Sequence, residues 1–142
     1  MLNPKEISVL RHLRNDSRQK FTEIAKKTGM HKLTVSNIEN RLKDRGVIKH
    51  VAMLDFKKLG FNIKLHIAVS CEHKEGLKAF LMEHPNVNSL STTKGDYDFI
   101  AEAVFRSMKD MHDFYEDMEQ FEIVHVQYNH LIDEIKVEEF LN

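Results

Sequence analysis

Residues 26–49 read KKTGMHKLTVSNIENRLKDRGVIK. Gly29 supplies the left-handed residue that commonly stops a helix. A helix over about 20–28, KFTEIAKKT, therefore ends there, with Phe21, Ile24 and Ala25 on its apolar face. Met30 follows as a small apolar plug, and the chain restarts at His31 or Lys32. Within 32–45, Val35, Ile38 and Leu42 fall at i, i+3 and i+7, a narrow apolar stripe. At about 100° per residue the opposite face holds Leu33, Ser36, Asn37 and Asn40, flanked by Lys32, Thr34 and Arg41. Gly46 ends this helix, and VIKHVAML, residues 47–54, reads as a strand and a candidate wing.

Upstream, LNPKEI announces another helix, over 4–14. Asn3 is a good N-cap, Pro4 suits the first helical position and Glu6 sits at N3. Leu2 and Ile7 have the spacing of a hydrophobic staple. Ile7, Leu10 and Leu13 carry the apolar face, and NDS at 15–17 breaks the helix. Two helices joined by a short Gly-containing turn, after a supporting helix, form the layout of a helix-turn-helix.

In such a unit the second helix enters the major groove of duplex DNA. Its residue types suit that task. Asn pairs with adenine through two hydrogen bonds, Ser and Thr serve several bases, and an outward Leu33 fits against a thymine methyl. Lys26, Lys27, Lys32, Arg41, Lys43, Arg45 and Lys49 are placed for phosphates, which position a protein without reading sequence. The DNA-binding set read from the sequence is thus Lys32, Leu33, Thr34, Ser36, Asn37, Asn40, Arg41, Arg45 and Lys49.

The charge distribution agrees. The chain of 142 residues has a formal net charge of −1, but residues 1–60 hold 14 Lys and Arg against 6 Asp and Glu, a net +8. Residues 61–142 hold 7 against 16, a net −9. Such asymmetry points to a basic half that meets a polyanion. A single cysteine, Cys71, excludes an intramolecular disulfide and a Cys-rich zinc site. No apolar run reaches 18 residues, and MLNPKEISVL lacks the basic start and apolar block of a signal peptide, so a cytoplasmic protein without a membrane partner is expected.

The second half alternates strand and helix signals. Ile63, Leu65, Ile67, Val69 and Cys71 recur with period two. HKEGLKAFLMEHP places Leu77, Phe80, Leu81 and His84 at helical spacing before Pro85. NVNSLSTTK reads as a polar strand, GD as a tight turn and YDFIAEAVF as another strand. Ser107 caps a helix striped by Met108, Met111, Tyr115 and Met118, and EIVHVQYNHLIDEIK is a final strand. The order β-α-β-β-α-β is the ferredoxin-like pattern. The fold class is therefore α+β: a winged helix-turn-helix over 1–48, a linker strand over 49–60, and a ferredoxin-like effector-binding and oligomerisation domain over 61–142. With both helices on one sheet face, Ile100, Val104, Val124, Val126, Tyr128 and Ile132 are expected to form a second apolar face. Such a face asks for another subunit, most simply a two-fold homodimer.

Nothing in the chain looks catalytic. GxGxxG, Walker and GxSxG motifs are absent, so neither an enzyme nor a cofactor is expected. The nine histidines lie in no HExxH or Cys-assisted pattern, which argues for structural or solvated side chains and no metal. His125 and His130, five apart on a strand, face opposite ways. The carboxylates of FYEDMEQFE and DEIKVEEF read as solvated faces. One loop differs: TTKGDYDF, residues 92–99, gathers Gly95, Asp96, Tyr97 and Asp98 at a strand end. Its carboxylates suit an ammonium and its turn amides a carboxylate, whereas the plainer reading is an ordinary hairpin.

Taken together, EIAKKTGMHKLTVSNIENRLKDRGVIK (23–49), DFKKLG (55–60) and GDYDF (95–99) resemble the leucine-responsive/AsnC family, the feast/famine transcription regulators, over essentially the whole chain. The resemblance implies an amino-acid effector near Gly95, Asp96, Tyr97 and Asp98. It also implies dimers that assemble further, often to octamers around which DNA wraps. The chain departs from the family pattern at His31, where a Ser cap is usual, and at Ile38-Glu39, where Arg and an aliphatic residue are common. SRQKF at 17–21 is polar where an apolar residue is common. Siroheme decarboxylases resemble the same two-domain layout, but a tetrapyrrole needs basic groups, and the second half has only 7 Lys and Arg against 16 acids, which disfavours that reading. A DNA-binding architectural protein without an effector is the further alternative, separated by its lack of a ligand response.

Overall fold

The structure, a computed structural model, describes residues 1–137. Glu138 and Glu139 and the expected end of the second domain at Asn142 lie outside the described residues. The chain divides into two compact units, the first built on Met1–Met53 and the second on Leu54–Glu134.

The first unit holds α1 (Pro4–Asn15), α2 (Phe21–Thr28) and α3 (Lys32–Asp44). A capping box starts α1. Asn3 Oδ1 accepts from the Glu6 amide at 2.9 Å, and Glu6 Oε2 accepts from the Asn3 amide at 2.9 Å. This satisfies amides that a helix start leaves without partners. Gly29, at φ 68°, turns the chain out of α2. Val9, Leu10, Leu13, Ile24, Ala25, Val35, Ile38 and Leu42 form one buried cluster, against which Leu2, Phe21, Met30 and Ile48 pack. The narrow stripe on α3 is thus the side that faces α1 and α2.

The wing strand expected over 47–54, and with it the linker strand over 49–60, does not form. Residues 48–55 have no regular structure and 56–60 make a turn. A strand exists through ladder hydrogen bonds, and among the described residues no neighbouring strand pairs with this stretch. Val51, Met53 and Leu54 remain exposed. The turn is local: Phe61 N donates to Phe56 O at 2.9 Å, Lys58 N to Asp55 Oδ1 at 3.2 Å, and Gly60 takes φ 85°.

The second unit contains β1 (Ile63–Cys71), α4 (Lys74–Glu83), β2 (Val87–Thr92), β3 (Phe99–Phe105), α5 (Met108–Glu119) and β4 (Ile123–His130). The strands form one antiparallel sheet in the order β2-β3-β1-β4, the ferredoxin-like arrangement. Leu65, Ile67, Val69, Phe99, Ala101, Ala103 and Phe105 share a buried cluster with Leu77 and Leu81 of α4 and Met111, Phe114 and Met118 of α5. The stripe expected on α5 is shifted. Met108 is exposed and Phe114 is buried in its stead, because the arc centred on Met111 and Met118 passes through Phe114. The last strand ends at His130 instead of running on to Lys136, since β1, its ladder partner, begins at Ile63.

The register also corrects the expected second apolar face. Residues directly opposite in a ladder share a face. Tyr128 lies opposite Ile67 and Val126 opposite Val69, so both belong to the helix side. Tyr128 stacks on Tyr115 of α5 with ring centroids 4.1 Å apart. A shift in the ladder between Ser70 and Cys71 displaces Val124 from the regular count, and Ile132 lies beyond the strand. The outer face instead presents Lys64, His66, Ala68 and Ser70 beside Ile100, Glu102, Val104, His125, Gln127 and Asn129. It is largely polar. Lys64 Nζ lies 3.1 Å from Glu102 and 2.6 Å from Glu134, and Asn88 donates to Glu102 at 2.7 Å. His125 and His130 do face opposite ways, being paired with Ser70 and Leu65.

His84 follows α4 and packs 4.9 Å from the Phe114 ring and 5.1 Å from the Phe80 ring. Its Nδ1 accepts from the Asn86 amide at 3.2 Å. Burial pushes its pKa down, and Asp117 opposes this only in part. The neutral ring is therefore the form that folds. The unfolded chain takes up the proton first, so the contribution of His84 is complete above its unfolded pKa and declines as the pH falls below it. Urea unfolding of the wild type and His84→Leu should show a stability gap that narrows between about pH 7.5 and about pH 5.5, on either side of the ordinary value of about 6.5.

Candidate nucleic-acid interface and loop site

α3 is buried along Val35, Ile38, Glu39 and Leu42 and turns Lys32, Leu33, Asn37, Asn40 and Arg41 to solvent. Leu33 is 71% exposed, which no packing role inside this unit accounts for. Thr34 and Ser36 are half-buried at the edges of that face, and Lys49 is exposed beyond the helix. Acids are absent from the first turn of α3, and the His31 side chain makes no cap. Nine sequence-selected residues thus divide into an outward row, a flanking pair and basic side chains at both ends.

Two of the basic residues have a second task. Glu6, 3% exposed, places Oε1 at 3.4 Å from Arg41 Nε and 3.2 Å from Arg45 Nη1, while its other oxygen serves the capping box. A buried carboxylate requires such partners. The two arginines are thereby tied to α1 yet remain about half exposed. Glu39 is the other buried acid, with Lys43 Nζ at 2.9 Å and His50 Nε2 at 3.0 Å from Oε1. Burial pushes its pKa up, and the hydrogen bonds from Lys43 and His50 outweigh that, so the net direction is down. Glu39 and Lys43 stand at i, i+4, but the contacts of Glu6 with Arg41 and Arg45 and of Glu39 with His50 were not legible beforehand. Glu6 showed only its capping spacing, and the reach to Arg41 and Arg45 spans 35 and 39 residues of chain. Beside Arg41 a shallow open groove separates the start of α1 from α3, lined by Asn3, Lys5, Thr34, Asn37, Ile38 and Arg41.

In the second unit, residues 93–98 close the β2–β3 hairpin. Thr93 N donates to Asp98 O at 2.9 Å, and the Thr93 hydroxyl donates to Tyr97 O. Gly95 takes φ 141°, a conformation L side chains rarely adopt, and no atom lies within 4 Å of where a Cβ would stand. Asp96 is exposed. The Tyr97 hydroxyl donates to Gln127 Oε1 at 3.3 Å, which sets it over the outer sheet face. Asp98 is already occupied: Oδ1 accepts from Lys74 Nζ at 2.6 Å and Oδ2 from the Cys71 amide at 3.2 Å. The Lys74 hydrogen bond holds its pKa below the usual carboxylate value. The loop therefore leaves Gly95 and Asp96 exposed and Tyr97 half-buried, and uses Asp98 to anchor itself to β1 and α4.

A winged helix-turn-helix DNA-binding model matches residues 2–49, and the model of the Lrp/AsnC ligand binding domain matches residues 64–139. The chain belongs to the Lrp/AsnC family. It is a DNA-binding transcriptional regulator of that type, and its relatives and fold are those of regulators, not of an enzyme. An HTH-type transcriptional regulator of Pyrococcus furiosus is 30% identical over 135 residues, 93% of this chain and 91% of that one. The regulator Ptr1 of Methanocaldococcus jannaschii is 28% identical over 117 residues, 80% and 79% of the two chains. Among solved structures, E. coli AsnC superposes with a TM-score of 0.87 at 18% identity, covering 100% of this chain and 99% of that chain. A Neisseria meningitidis transcriptional regulator solved with L-methionine gives 0.86 at 21% identity, covering 96% and 94%. Within the described residues no helix is long and apolar enough to cross a membrane.

For this Lrp/AsnC regulator, Glu6 links the cap of α1 to the orientation of α3. Glu6→Ala removes a cap partner and leaves two guanidinium groups without their shared acceptor. We expect it to lower the stability of the first unit by about 1–3 kcal/mol, read from urea unfolding followed by helical circular dichroism.

Proposed function

We propose that this regulator reads duplex DNA through the outward face of α3 and that an amino acid binding at the 93–98 loop modulates its binding or assembly. The observation that carries the first part is the two-sidedness of α3. Its apolar stripe is consumed by the core, while Leu33, Asn37 and Asn40 stand exposed along one row. Asn37 and Asn40 serve as base readers and Leu33 as an apolar contact to a thymine methyl. Lys32, Arg41, Arg45 and Lys49 serve phosphates, with Thr34 and Ser36 at the margins. Phosphate contacts supply most of the affinity, which falls as salt rises.

The active species on this reading is a cytoplasmic homodimer, with further even-numbered assembly. Two copies present two α3 helices to successive major grooves. The polar outer sheet face gives less support for pairing than an apolar face would. The exposed row Val51, Met53 and Leu54 supports it, as does the Ser70 hydroxyl, buried without a partner among the described residues.

The effector reading rests on the exposed Asp96, the half-buried Tyr97 and the open backbone at Gly95, and on the relative solved with L-methionine. Asp98 acts there as an anchor of the loop. A ligand that favours one assembly state shifts the population toward it, with coupling of about 1–3 kcal/mol.

Binding of the full chain to a duplex selected from a random pool, and to a scrambled duplex, tests the DNA reading. Asn37→Ala and Asn40→Ala should each lose about 1–3 kcal/mol of discrimination between the two, and unchanged discrimination rejects α3 as the reader. Repeating the titration with an amino-acid panel tests the loop. Tyr97→Phe should shift the midpoint of the response while leaving effector-free DNA binding intact. A wild type indifferent to every amino acid favours the architectural alternative.

A further inference from the structure

The groove between α1 and α3 contains side chains that the recognition-helix reading leaves without a role. Lys5 and Asn3 come from the start of α1, and Thr34, Asn37 and Arg41 come from α3, with Ile38 at the floor. Lys5 is exposed and forms no ion pair among the described residues. It shares the groove with Arg41, so two cations from different helices line one concavity, and no acid lines it. The carboxylate paired with Arg41, that of Glu6, has one oxygen on the Asn3 amide and the other on Arg41 and Arg45. The first amides of α1 are already capped, so the feature is a side-chain groove and not an open helix end.

We propose that this groove seats a phosphate of the duplex backbone, with Lys5 and Arg41 on either side and Asn3 and Thr34 as neutral hydrogen-bonding groups. The inference rests on the reading of α3 as the major-groove helix. A helix whose Asn37 faces base edges necessarily brings the strand flanking that groove near the residues beside Asn37, and here those are the lining of this concavity. Lys5 then sets how far α3 enters the groove and adds affinity without adding sequence preference. Arg41 owes its placement to Glu6, whereas Lys5 extends freely from the exposed side of α1.

The experiment is fluorescence anisotropy of the full chain with the selected and the scrambled duplex over a potassium chloride series. Lys5→Gln should weaken both duplexes by the same factor and make the negative slope of log affinity against log salt shallower by about 0.9. Equivalently, its deficit relative to wild type should shrink about 3.5-fold between about 50 and about 200 mM salt. Lys5→Arg should restore the slope, and Lys109→Gln on α5 should leave it unchanged. If Lys5→Gln keeps the wild-type slope while Asn37→Ala loses discrimination, the phosphate seat is wrong and the α3 reading stands. If Lys5→Gln changes the preference between the duplexes instead of the slope, the seat is likewise wrong. If wild type shows no salt-dependent duplex binding, the α3 reading fails and the seat fails with it. Unchanged circular dichroism of Lys5→Gln shows that the effect is on binding.

Discussion

A single buried carboxylate connects the parts of the first unit that matter for its task. Glu6 lies in the first turn of α1, almost wholly removed from water, and its two oxygens are divided between the Asn3 amide and the guanidinium groups of Arg41 and Arg45. An isolated buried charge is too costly to persist, so its partners must be supplied from nearby. They come from the far half of α3 and the residue that follows it. The same contact that starts α1 therefore fixes where α3 lies against it, and with it the direction in which Leu33, Asn37 and Asn40 face. The apolar cluster of Val9, Leu10, Leu13, Ile24, Val35, Ile38 and Leu42 supplies most of the cohesion. Burial of apolar area is not directional, however, and the carboxylate with its two arginines is.

The second unit places a comparable charge arrangement on its exposed surface. Lys64 is held between Glu102 and Glu134 on the outer sheet face, with His66 at 3.5 Å from Glu102. Burial pushes the Lys64 pKa down, while Glu134 and Glu102 raise it further, so the ammonium stays charged. An interface built on such a face is matched by polar pairing and not by apolar area alone. The 93–98 loop sits at one end of this sheet through Asp98, whose links to Lys74 and the Cys71 amide join β1, β3 and α4 at one point. The anchoring separates the roles within a four-residue motif. Asp98 gives the loop its place, whereas Gly95 and Asp96 stand exposed and Tyr97 bonds Gln127.

Departures from the family pattern acquire physical content in this frame. Glu39 stands where an aliphatic side chain is common, and its burial is compensated by Lys43 and His50. His50 in turn ties the chain leaving α3 back onto that helix. His31 leaves the first turn of α3 without a side-chain cap.

What the sequence by itself determined is whatever depends on neighbours a few residues apart. The capping boxes at Asn3 and Ser107, the left-handed glycines at 29 and 46, the stripe of Val35, Ile38 and Leu42 and the period-two run from Ile63 to Cys71 are all local patterns. They were enough for the helix-turn-helix and the β-α-β-β-α-β order. Only the tertiary structure decided what depends on pairing across the chain. The register of β4 against β1 moved Val126 and Tyr128 to the helix side, since a strand's faces are set by its partner and a shift of one residue exchanges them. The stretch 47–54 has a strand's composition, but among the described residues no strand pairs with it. The pairings of Glu6 with Arg41 and Arg45, of Glu39 with His50 and of Asp98 with Lys74 were decided by the tertiary structure too, because partners 11 to 39 residues away leave no periodic mark on the sequence.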